Sequence, residues 1–210
     1  MNSSPWKNLI YILAFLAIAF LGYNFWTQDP NKFGEEEIQE EPGRMTHTGK
    51  AFGQDFHITY LDPSGRDFKS SLDSLVWKLE GIADASSSSS EIGLLNYNDT
   101  LVSPSKELTL LLQDAEIWVQ RSAGAFEVTD SPLRNAWSFN SSGAVLIDTL
   151  GIENTRRWVG FGKINRSDTL IIKPFEAKVD FSKMISGILL DQLAQFLKGK
   201  GIENFHLKHG

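Results

Sequence analysis

Few side chains in this sequence announce chemistry, and the histidines are the first to weigh. They are His47, His57, His206 and His209. No pair falls on a helix with metal-ligand spacing. His57 sits in a strand-like run and the other three lie near the ends of the folded region, so all read as surface residues. There is no cysteine, which excludes disulfides, thiolate metal sites and a cysteine nucleophile. The chain also lacks a glycine-rich phosphate loop, a dinucleotide fingerprint and a His-Glu-x-x-His pair. A serine–histidine nucleophile pair is compatible with these residues, but no spacing favours one.

The elements that must position any site are clearer. Phe56, Ile58 and Tyr60 alternate with polar neighbours and predict a strand, and Asp62-Pro63-Ser64-Gly65 predicts a turn. Phe68, Leu72, Leu75, Leu79 and Ile82 step by four and three along one helix face. The run Ser86 to Ser90 reads as a flexible spacer. Ser103 and Pro104 read as the N-cap and first position of a second helix. Its apolar face is Leu108, Leu111, Leu112, Ala115, Trp118 and Val119, and it ends near Ala123 and Gly124. Strand-like runs follow at 144–147, 158–164 and 169–172. A third helix is predicted over 184–197, with Ile185, Ile188, Leu189, Leu193, Phe196 and Leu197 inward and Gly199 as its stop. Asp180 reads as a possible N-cap for it, and 204–208 as a last strand. Without a regular βαβ alternation, the fold class is α+β.

Composition narrows the partners. The chain has 210 residues and a net charge of −6. An acidic domain lacks the basic face that a nucleic acid needs. Residues 9–26 carry no charge and are almost all apolar. Eighteen residues at about 1.5 Å rise cover roughly 27 Å, the thickness of a bilayer's hydrocarbon core. Trp6, Tyr23 and Trp26 lie near the ends, where amphipathic rings prefer to sit. Lys7 precedes the segment, while Asp29 and Glu35 to Glu37 follow it. The positive-inside rule then places the N-terminus in the cytoplasm and the rest outside. A cleaved signal is the competing reading: Ala17-Ile18-Ala19 offers small residues, but the apolar run continues past them. The expected organisation is an anchor or signal over 1–26, an acidic linker over 27–45 and a folded domain over 46–210.

Four segments occur in a telling order: Gly49-Lys50-Ala51-Phe52-Gly53; Ser90-Glu91-Ile92-Gly93-Leu94-Leu95-Asn96; Gly124-Ala125-Phe126-Glu127-Val128-Thr129; and Val179-Asp180-Phe181-Ser182 before a helix with Gly187 and Asp191. This order resembles the ApbE family, the FAD:protein FMN transferases. The family pattern runs Met-Gly-Thr, Ser-x-Ile-Ser-x-Leu-Asn, Gly-Ala-Phe-Asp-x-Thr and Asp-Leu-x-x-x-x-Lys-Gly-Tyr-x-x-Asp. The resemblance covers 46–210 and implies a T-fold-related mixed α/β domain. It implies an enzyme that binds FAD and, with magnesium, moves the FMN half to a threonine of an exported target protein. Carried over by position, the flavin would meet Phe52, Ser86, Ala125, Phe126, Glu127, Asp180 and Ser186. Lys183 would approach the cation through its backbone carbonyl.

The departures from the pattern are specific. Phe52 replaces the Met and Gln54 the Thr of Met-Gly-Thr. Ser86 replaces the aromatic that stacks on the flavin. Glu127 is one methylene longer than the family's Asp, and Ser186 removes a charge. Phe126, Phe181 and Trp137 read equally well as core fillers. Family members continue beyond the equivalent of Gly210, so the C-terminal half, with the Asp and Thr that hold magnesium, is expected to be missing. Asp180 and Asp191 alone do not complete an octahedral site. The alternative is an inactive relative serving as a flavin-binding or protein-interaction module.

The anchor gives the first testable outcome. A reporter fused after Gly210 is expected to be active only outside the cytoplasm, with the chain kept on membranes in high salt. Release by salt would mean electrostatic attachment and no spanning segment.

Overall fold

The computed structural model describes residues 14–20, 23, 43–135, 137–139, 145–147 and 149–210. The chain divides into two compact units, Met1–Glu41 and Pro42–Gly210. In the first, residues 14–20 are helical and exposed. Most of the 9–26 segment, and the linker up to residue 42, lie outside the described residues. No helix among the described residues is long and apolar enough to cross a membrane.

The second unit starts with a hairpin. Strands β1 (Arg44–Ala51) and β2 (Gln54–Leu61) pair antiparallel from Arg44 opposite Leu61 to Ala51 opposite Gln54. Phe52 and Gly53 form the turn with φ of 50° and 75°, the all-positive backbone that suits the twist of a tight hairpin. The segment 49–53 thus forms the end of β1 and the turn that follows it. The inward residues of β1 are Met45, His47, Gly49 and Ala51, a face too weakly apolar to show alternation. Gly49 has a structural reason: a Cβ there would lie 2.5 Å from the Phe56 ring. The sheet is completed by β8 (Phe205–His209), antiparallel to β2, in the order β1-β2-β8.

One face of this sheet presents Phe56, Ile58 and Tyr60 to helices α1 (Lys69–Ala83) and α6 (Ile185–Gly199). These helices bury Leu72, Val76, Leu79 and Ile82, and Ile185, Leu189, Leu193 and Leu197. The four-and-three spacing thus produces the core it predicts. Helix α6 stops at Gly199 as expected, with Lys200 as its C-cap, and the glycine that turns the chain is Gly201, just beyond the cap. Gly201 takes φ 80°, Ile202 N–H donates to Leu197 O and Gly201 N–H to Lys198 O, the paired bonds of a Schellman cap.

Between these helices lie α2 (Glu91–Asn98), β3 (Thr100–Val102), α3 (Lys106–Arg121), α4 (Ser131–Asn135), β4 (Trp137–Phe139), β5 (Val145–Ile147), α5 (Thr149–Arg156), β6 (Asn165–Arg166) and β7 (Leu170–Ile172). Strands β3, β7 and β6 make a second sheet in that order, and β4 pairs with β5. Two expectations shift here. The cap of α3 is Ser105, whose Oγ accepts from Leu108 N–H at 3.0 Å. Ser103 is instead tied to the second sheet through Thr169 O. The run 158–164 is not a strand: Phe161–Lys163 is a 3-10 turn that follows Gly160 at φ 133°. Trp118, expected inside α3, is 52% exposed. Helices and strands remain mixed without βαβ repetition, as the α+β reading predicts.

Asp62 locks the far end of the hairpin. Its side chain is 1% exposed and accepts from Ser64 N–H, Arg66 N–H and Arg66 Nε. The Arg66 hydrogen bond, more than any other interaction, holds this carboxyl below the usual carboxylate range. A depressed folded-state value adds stability above the ordinary pKa and loses it as pH falls through the folded value. Urea midpoints measured against pH should therefore drop on acidification from about pH 4 downward. Asp62→Asn should lower the midpoint at neutral pH and flatten that acid limb; an unchanged limb would remove Asp62 from the account.

Candidate functional site

A cavity of about 850 Å³ opens between the hairpin turn, the loop before α2 and the segment before α6. This volume falls within the roughly 300–1,000 Å³ common for small-molecule sites.

The first wall is the serine run, which is an ordered structure and not a spacer. Asp84 nucleates it. Its Oδ1 accepts from Ser86 N–H at 2.9 Å and Ser86 Oγ at 2.6 Å, and its backbone carbonyl accepts from Ser87 N–H and Ser90 Oγ. Ser90, 1% exposed, also caps α2 by accepting from Gly93 N–H at 2.9 Å. The loop lies so close to α2 that a Cβ at Gly93 would sit 1.8 Å from Ser87 O. Only glycine permits that approach.

Asn96, near the end of α2, joins this wall to the opposite one. Its Nδ2 donates to Val179 O and its Oδ1 accepts from Val179 N–H, both at 2.8 Å. The side-chain amide thereby stands in for a strand partner. Lys178 adds a bond from Nζ to Asn96 O. Asp180 follows at once on the second wall. Its Oδ1 accepts from Ser182 N–H at 2.8 Å, and its Oδ2 pairs with Arg134. Burial alone raises its pKa. The Ser182 bonds and the Arg134 guanidinium outweigh burial, and the net shift is downward. It does not cap α6, whose N-cap position is Met184 with no side-chain cap.

Phe52, Ser86, Asp180 and Ser186 all line the cavity. Ala125, Phe126 and Glu127 are not among its lining residues. Ala125 is exposed, and Phe126 packs against the core, as does the fully buried Phe181. The Glu127 carboxylate accepts from Thr129 N–H, Thr129 Oγ1 and Phe161 N–H, tying two loops together. Lys183 directs Nζ to Asp130 and, at 3.5 Å, to Glu127 O.

The structure adds residues that the sequence did not reveal. Tyr97 and Phe175 line the cavity and are 84% and 69% exposed. His209 lines it from β8 and is half-buried, correcting its reading as a surface residue. His47 is also inside, at 8% exposed, with Nε2 2.7 Å from Asp73 Oδ1. His57 and His206 are exposed as expected. The register that sets His209 opposite Phe56 is the signal that places it, and no local pattern carries that information.

Magnesium does not fit the described residues that line the cavity. Among the described residues no group of three or more His, Asp or Glu side chains could hold an ion. Asp180 is committed to Arg134 and Ser182, and Asp191 lines a different groove, between α1, α3 and α6.

The sheet, the helices packed on it and the cavity at their edge make a mixed α/β domain with a cleft of small-molecule size. The ApbE family profile matches residues 52–210, and the chain belongs to that family. The FAD:protein FMN transferase of Haemophilus influenzae is 24% identical over an alignment of 187 positions that covers 82% of this chain and 54% of that protein. The Vibrio cholerae enzyme of the same name is 24% identical over an alignment of 181 positions that covers 81% of this chain and 54% of its own length. The solved flavin transferase ApbE of Vibrio cholerae superposes with a TM-score of 0.69 at 22% identity, covering 79% of this chain and 56% of that one. The chain thus spans about half the length of the curated relatives it matches.

The two-way Asn96 bond is the testable hinge of this geometry. Asn96→Asp replaces the donor that faces Val179 O with a second acceptor. It should cost about 1–3 kcal/mol in urea unfolding, and a variant as stable as the parent would show that the two walls hold without it.

Proposed function

We propose that this domain binds FAD in the cavity and acts in an FAD:protein FMN transferase. The flavin acceptor is the threonine hydroxyl of an exported protein. The anchor at 9–26 holds the domain on the extracytoplasmic side of the inner membrane. Family membership supports the reaction class. The single observation that carries the binding reading is the pair of exposed rings at the cavity, Tyr97 and Phe175. Large aromatic faces kept in solvent beside a cavity suit a planar ring system. They offer the stacking surface that Ser86 lacks. The described residues supply this flavin-holding wall and no cation cage.

A second reading is a flavin-binding module without transfer. It is favoured by the engagement of Asp180 with Arg134 and by the lack of an ion-holding group among the described residues.

Titration of the protein into FAD, followed by flavin fluorescence, tests the binding reading. Tyr97→Ala and Phe175→Ala should each weaken binding about 3- to 10-fold, the size of one aromatic pairing. Ser86→Tyr should strengthen it. If the double alanine variant binds FAD like the parent, the flavin lies elsewhere. Release of AMP with covalent flavin on an acceptor protein separates the transferase from the module.

A further inference from the structure

Ser186, His209 and the backbone carbonyl of Ala51 form a connected line at the cavity. His209 Nδ1 is 2.8 Å from Ser186 Oγ, and its Nε2 is 2.9 Å from Ala51 O. A carbonyl oxygen only accepts, so Nε2 carries the hydrogen. In the neutral ring Nδ1 is then a lone pair, and it accepts from the Ser186 hydroxyl. The ring is therefore held in the tautomer and orientation that make it a base toward serine. This is the logic of a nucleophile, a base and an orienting group, with a carbonyl in the third role. Phe52 packs edge-on to the His209 ring at 6.5 Å between centroids. Ser186 is the second residue of α6, where the positive end of the helix dipole favours charge developing on Oγ. A bond that served only to tie α6 to β8 would not require cavity exposure, yet both side chains line the cavity.

We propose that Ser186 is a nucleophile activated by His209, and that its electrophile is a phosphoryl group held in the cavity. The choice of a phosphoryl electrophile rests on the reading that the cavity receives FAD, whose pyrophosphate is such a group. In the step, Ser186 Oγ forms a bond to phosphorus and the phosphoanhydride P–O bond breaks. The serine proton passes to His209 Nδ1 and then to the departing phosphate. No electron changes hands, and the product is a phosphodiester on Ser186.

A fluorophosphonate probe tests the pair on the full chain. The Oγ–P bond forms, the P–F bond breaks, fluoride leaves and His209 takes the proton. Peptide mass spectrometry should place the adduct on Ser186. His209→Gly should slow labelling about 100-fold, the scale of a lost general base, and added imidazole should restore much of it. His209→Gln keeps a donor for Ala51 O without a base, so it should fold and remain unlabelled. FAD binding is read by flavin fluorescence on the same samples. Labelling of Ser186 without FAD binding upholds the pair and sinks the flavin reading. FAD binding without labelling overturns the pair and spares the flavin reading. Adducts scattered over surface serines, or a rate indifferent to His209→Gly, also overturn it.

Discussion

The side-chain amide of Asn96 completes two hydrogen bonds with the backbone of Val179, and the cavity is built around that exchange. Asn96 belongs to a helix and Val179 to an extended segment, so neither offers the other a ladder. An amide that donates and accepts through one planar group substitutes for a missing strand residue. On one side of the bond stands α2, with the serine loop folded over its start. On the other stands the segment leading to Asp180 and α6. Val179 is fully buried, and an unpaired backbone group there would be costly. The constraint therefore fixes both walls at once.

Charge around the site is arranged in pairs. Asp180 faces Arg134, which also reaches Asp130, and Asp130 in turn holds Lys183. Lys173 has a fully buried side chain and is paired with Asp99, just after α2. Burial pushes the Lys173 ammonium down, and the Asp99 carboxylate opposes that shift. Among the described residues no buried side-chain polar atom lacks a hydrogen-bond partner. The carboxylates of this region are thus employed in holding loops, which is why they do not gather into an ion site.

The legibility of the sequence followed the kind of interaction involved. Helices α1, α3 and α6 bury leucines and isoleucines at helical spacing, and their periodicity reached the surface of the text. Strand β1 did not, because its inward side chains include a histidine, a glycine and an alanine. The five serines had the composition of a tether; what orders them is one residue, Asp84, through its carboxylate and its backbone carbonyl together, and no composition rule weights it. Within the site, Phe52, Ser86, Asp180 and Ser186 were placed by resemblance to family motifs. Tyr97, Phe175 and His209 belong to no motif, and they converge only through sheet register and loop path. Glu127 shows the opposite case: a motif position whose carboxylate in this chain serves Thr129 and Phe161.

Gly93 stands where the family pattern carries a serine, and its neighbourhood sets an order of events for any evolutionary path. A side chain at 93 collides with the carbonyl of Ser87 while the serine loop keeps its present course. Backbone cannot step aside as a flexible side chain can. The loop must therefore retreat before a serine returns at 93, and the reverse sequence of substitutions passes through an unfolded or rearranged intermediate. Residue 93 and the path of residues 84–90 are in this sense a ratchet: the glycine admits the close loop, and the close loop then forbids the glycine's replacement.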